Sequence, residues 1–175
     1  LNDQSKSLCD RLVEQWQIRI SRDCGASVAT QASVMDWLLG EDLERFARFT
    51  PAQLEIVFQG IDYRYRILHQ RYLSASPAKA YKNLMQRLGG LAVLRQKIQA
   101  WVSTSRDRKQ TVLDVLQEVV QEIVHRDKYI QQQIDWIAKC TKNPNLRNTL
   151  LLATIEEYCL RPIRNQPLLA YRFFN

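Results

Sequence analysis

The chain has 175 residues, 46% hydrophobic and 25% charged, with a formal net charge of +7. Such a length buries roughly 70% of the unfolded chain's surface around one core, so it requires no disulfide or metal staple. The start, LNDQSKSLCD, lacks the basic and apolar stretch of a secretory signal, and the longest apolar run, Leu150 to Ile155 interrupted by Thr154, is far short of the ~20 residues that span a bilayer. A cytoplasmic protein outside the membrane is expected.

Leu8, Cys9, Leu12, Val13, Trp16 and Ile20 recur at helical spacing and predict a first helix over Gln4 to Ile20, with Gly25 beyond its end. Ser27 or Thr30 caps a short helix through Trp37 to Gly40, and Asp42 to Phe49 reads as a further short helical turn. Thr50-Pro51-Ala52-Gln53 is a strong start signal. The threonine caps, the proline loses no needed donor, and the glutamine returns a bond to the cap, so a helix runs from there to about Leu73. Ser76-Pro77 repeats the device and leads to Gly89-Gly90, after which Leu91 to Val102 resumes helical periodicity.

From Ser105 onward Val112, Leu116, Val119, Ile123, Ile130, Ile134 and Ile137 keep a three-or-four spacing broken at Asp127, which means one long helix or two joined near His125 to Lys128. Asn143-Pro144 opens a helix through Leu150 to Ile155, whose near-continuous apolarity places it at the centre. Leu151→Ala is accordingly expected to cost about 2 to 5 kcal/mol through a core cavity. Pro162 breaks that helix, and Pro167 permits a last one over Leu168 to Phe174. No long strand-like alternation and no Asn-Gly or Asp-Gly turn occurs. The expected fold is all-α, a single bundle-like domain of about seven to nine helices without a sheet.

The charge is unevenly divided. Residues 1–60 carry 6 Lys and Arg against 9 Asp and Glu, residues 61–110 carry 11 against 2, and residues 111–175 carry 8 against 7. Basicity confined to the middle third is what a localised anionic partner selects. Its members are Arg64, Arg66, Arg71, Lys79, Lys82, Arg87, Arg95, Lys97, Arg106, Arg108 and Lys109. Such a cluster contacts phosphates by counterion release, and the competing reading is a solvated basic face or one that meets an acidic protein surface. The stretch IDYRYRILHQRY divides in the same way. At 100° per residue Ile61, Tyr65, Leu68 and Tyr72 share a face with Leu54 and Phe58, so those tyrosines belong to the core, while Arg64 and Arg71 fall on its border and Tyr63 faces largely outward.

Residues Ser76 to Ser103 have the helix, glycine turn and helix of a helix-turn-helix, but Arg95 falls where an aliphatic core residue is usual, and a plain αα-hairpin fits better. Glu122 and His125 form an E-x-x-H step without the second such step a carboxylate-bridged metal pair needs, and Asp114, Glu118 and Glu122 read as a solvated acidic stripe. Cys9, Cys24, Cys140 and Cys159 have no zinc-like spacing and are expected to be reduced thiols. No glycine-rich phosphate loop exists, and no catalytic residue, metal or cofactor is nominated.

The stretches YRYRILHQRYL, SRDRKQTVLDVLQEVVQEI and EEYCLRPIRNQPLLAYRFFN, within residues 50–175, resemble the cyanobacterial HetZ-related regulators of heterocyst differentiation. The resemblance implies a transcription regulator whose longer members carry a helix-turn-helix beyond the point where this chain ends, so a fragment is expected. DNA is the expected partner, with RNA an open alternative. A second protein, or a missing C-terminal domain packed on Tyr171 to Phe174, is the other.

Overall fold

The computed structural model describes residues 8–25, 27–90, 100 and 112–160, together with the backbone of 162–163 and 166–167. The fold is all-α. Its helices are α1 (Leu8–Asp23), α2 (Val28–Leu39), α3 (Pro51–Ile67), α4 (Pro77–Gly89), α5 (Val112–Arg126), α6 (Lys128–Cys140) and α7 (Pro144–Leu160). A 3-10 segment, Leu43–Arg48, joins α2 to α3, and a π turn, Leu68–Tyr72, extends α3. Beyond α7, Pro162 pairs with Pro167 and Ile163 with Gln166 in a short antiparallel ladder. Apart from Ala100, which is helical, the expected helices over Leu91 to Val102 and Leu168 to Phe174 lie outside the described residues.

The starts follow from the side chains that precede them. The Ser27 hydroxyl accepts the Thr30 N–H at 3.2 Å, which settles the first cap of α2, and Gly40 ends that helix at φ 81°, a backbone region that a side chain would strain. Thr50 and Gln53 form the expected reciprocal pair, with Gln53 N–H donating to Thr50 Oγ1 at 3.2 Å and Thr50 N–H to Gln53 Oε1 at 2.9 Å. Asp127 explains the break in the apolar series. It is buried, caps α6 by accepting the Ile130 N–H at 3.1 Å, and accepts the Tyr158 hydroxyl at 2.7 Å, so there are two helices and not one. The π turn is marked by Leu73 N–H donating to the carbonyl of Leu68, five residues back, at 2.9 Å.

Helix α7 is the axis of the structure. It packs against α3, the π turn, α4 and α6, while α1 lies on α2 and the 3-10 segment. Leu150, Ala153 and Ile155 are all but sealed from solvent, as the apolar run predicted. Leu151 is an exception, being only half-buried at the margin of the core. A helix buried on most sides still has one thinner side, and a cavity probe belongs at Leu150 instead. Trp37, Phe46, Leu84 and Leu88, each 0% exposed, fill the space between the helices, and Trp37 Nε1 donates to Thr154 Oγ1 at 3.1 Å, which satisfies the one polar atom of its ring.

Candidate nucleic-acid interface

The described basic residues of the middle third fall into two populations, one turned inward and one outward. The inward group is set by two adjacent carboxylates on α7, Glu156 at 0% and Glu157 at 6% exposure. Consecutive helical residues point about 100° apart, so each faces a different neighbour. Arg64 Nε donates to Glu157 Oε2 at 2.6 Å, and its terminal nitrogens donate to the Trp37 carbonyl and the Tyr129 hydroxyl, each at 3.3 Å. The guanidinium also stacks 5.1 Å from the centre of the Trp37 ring. Burial pulls its proton affinity down, but Glu157 and Tyr129 outweigh that and hold the cation charged.

Arg71 grips Glu156 with two parallel bonds, Nε to Oε1 at 2.7 Å and Nη2 to Oε2. The Tyr72 hydroxyl donates to the same Oε1 at 2.9 Å, and burial together with the carboxylate pushes that phenol far up. The sequence-based assignment of Arg64 to phosphate contact is therefore corrected, since its three nitrogens are all engaged inside the fold, whereas Arg71 commits one edge of its guanidinium to Glu156. A carboxylate buried without a partner costs several kcal/mol, and these two arginines, on the border of the core face, supply hydrogen-bonded cations to the pair.

The outward group is the larger, with four of the six described cations. Arg66 is exposed and pairs with Asp62 one turn back at 2.9 Å. Lys79 and Lys82 are exposed on α4, where no ion-pair partner is found for them among the described residues. Arg87, 48% exposed, stands 3.6 Å from Glu156 Oε1. Helix α4, PAKAYKNLMQRLG, contains no acid at all. Arg95, Lys97, Arg106, Arg108 and Lys109 lie outside the described residues.

No family model, no curated protein and no solved structure matches the chain. The chemistry must accordingly be read from the side chains themselves.

Tyr65 and Tyr72 are core residues at 1% and 0% exposure, so the aromatic half of the tyrosine-arginine stretch is structural, and Tyr63 is half-buried. The Tyr65 hydroxyl donates to Asp23 Oδ2 at 3.1 Å, and its ring stacks on His69. Asp114, Glu118, Glu122 and His125 occupy the solvent side of α5, and no group of three His, Cys, Asp or Glu residues placed to hold a metal ion is found among the described residues. None of the four cysteines forms a disulfide, and all four are buried. No described helix is long and apolar enough to cross a membrane.

Glu156 and Glu157 are the residues that sequence reasoning missed. Their signal was present: two adjacent acids close a helix otherwise read as buried on most sides, and two arginines seven residues apart border the core face of another. Neither half identifies its partner, because the pairs are 85 and 93 residues apart in the chain.

Proposed function

We propose that this is a nucleic-acid-binding regulatory domain, a cytoplasmic transcription-regulator module of the kind the HetZ-related resemblance implies. Its basic face is the solvent side of α4. The observation that carries the reading is the combination on that helix of exposed Lys79 and Lys82 and half-exposed Arg87 with no acidic residue. Cations grouped on one acid-free helix neutralise phosphates and release their counterions. Arg66 adds a fourth cation from α3, shared with Asp62.

The salt dependence of binding tests it. With four phosphate contacts, affinity for a labelled generic duplex, followed by fluorescence anisotropy, should fall roughly 10²-fold between about 50 and 200 mM salt. The change Lys79→Gln with Lys82→Gln should weaken every duplex alike and flatten the salt slope by about two. A protein that binds neither duplex nor single strand at the lower salt would overturn the reading.

A second reading is supported by a separate observation. Ile18, Val28 and Ile56 are 68%, 82% and 70% exposed, which suits a protein-protein interaction module of a regulator whose DNA reading is done elsewhere in a longer chain.

A further inference from the structure

We propose that Arg71 and Arg87 form a phosphate clamp built on the buried carboxylate of Glu156, where the π turn meets α4. The inference rests on the nucleic-acid reading and names the point on the basic face that grips a phosphate group most firmly. It follows from the charge balance around one carboxylate. Glu156 is 0% exposed and is already neutralised by the two parallel bonds from Arg71, with the Tyr72 hydroxyl as a further donor. Arg87 Nε approaches the same Oε1 only to 3.6 Å, an ion pair too long for a hydrogen bond. Among the described residues two guanidinium groups therefore share one negative charge, which leaves a unit of positive charge at the surface.

The geometry makes that surplus usable. Both arginines contact Glu156 Oε1, so they are neighbours, and both are partly open to solvent, Arg71 at 23% and Arg87 at 48% of side-chain area. Arg71 uses one edge of its fork on the carboxylate. Its backbone is fixed by Asn83 Nδ2, which donates to the Arg71 carbonyl at 2.8 Å, so a second anion meets a guanidinium already oriented. Competing acids are engaged elsewhere: Glu157 holds Arg64, and Asp62 holds Arg19 and Arg66. A tetrahedral phosphate oxyanion presents several acceptors to two neighbouring guanidinium groups, which suits it better than a single carboxylate.

The test is to label the intact chain with 15N-arginine and follow the side-chain Nε–H signals while titrating inorganic phosphate, with chloride at equal ionic strength as the reference. Arg71 and Arg87 should shift together and saturate while Arg64 stays fixed, and Arg87→Gln should abolish the response of Arg71. Glu156 keeps Arg71 and Tyr72 in that variant, so folding is retained. Arg87→Lys, which keeps the charge but lacks the fork, should bind phosphate more weakly than the native chain. The clamp is overturned if phosphate moves these signals no more than chloride does, or if Arg87 responds and Arg71 does not. Duplex binding separates the two readings. A saturable phosphate response without duplex binding leaves the clamp standing and removes the nucleic-acid role. Duplex binding whose salt slope Arg87→Gln does not lower by about one removes the clamp and leaves that role to other cations.

Discussion

Arg64 shows how one side chain can join four helices. From α3 it reaches Glu157 of α7, the main chain of α2 and the hydroxyl of Tyr129 on α6, and it lies over the Trp37 ring. Its side chain is 16% exposed and that of Glu157 8%, so solvent screens the pair little. Arg64→Leu should destabilise the fold by about 3 to 5 kcal/mol, because the loss is dominated by the carboxylate left buried without its cation. Urea unfolding of that single variant, beside Arg64→Leu with Glu157→Leu, gives the check. The double variant should recover much of the loss, since removing both charges also removes the desolvation that made the pair necessary. Recovery of stability in the pair, absent in the single change, is the signature of an uncompensated charge rather than of lost packing.

At the scale of elements, the local signals in the sequence were the dependable ones. Thr50 to Gln53 announces its capping box because both partners lie within one turn, and Ser76-Pro77 does the same for α4, where Ser76 Oγ accepts the Lys79 N–H at 3.3 Å. Asp127 was legible only as an interruption. Its meaning needed the third dimension, since its second carboxylate oxygen serves a tyrosine 31 residues away. Asp127→Ala should therefore cost more than a simple cap: about 2 kcal/mol or more, against about 1 kcal/mol for Thr50→Ala on its exposed cap. Thermal or urea unfolding of the two variants side by side checks the order, and equal losses would mean that the Tyr158 bond contributes nothing. The π turn had no sequence signal at all, because Leu68 to Tyr72 satisfies an ordinary α-helical pattern as well as a widened one.

Across the whole molecule, helix content could be read from periodicity and the central place of α7 from its near-continuous apolar run, whereas the division of arginines into inner and outer sets could not, because such patterns locate a face and not the neighbour it meets. The same burial that closes the ion pairs closes the thiols. Desolvation pushes Cys9 and Cys24 up from the ordinary thiol value and Cys140 up to about 12, the last aided by Asp36. Cys159 is 0% exposed. At neutral pH the folded protein should thus react negligibly with a disulfide reagent such as dithiobisnitrobenzoate, and four thiols should become titratable in denaturant. Prompt reaction of any of them under native conditions would show an opening that this packing does not contain. The adjacency of Glu156 and Glu157 also fixes an order of assembly. Their arginines are made 85 and 93 residues earlier, so during synthesis Arg64 and Arg71 wait, hydrated, until α7 emerges, and α7 in turn cannot enter the core ahead of them without burying two bare carboxylates. Closing such distant contacts is slow. The step that completes the interior is a mutual docking of early and late helices, and a nascent chain halted before residue 156 holds the lock without the key.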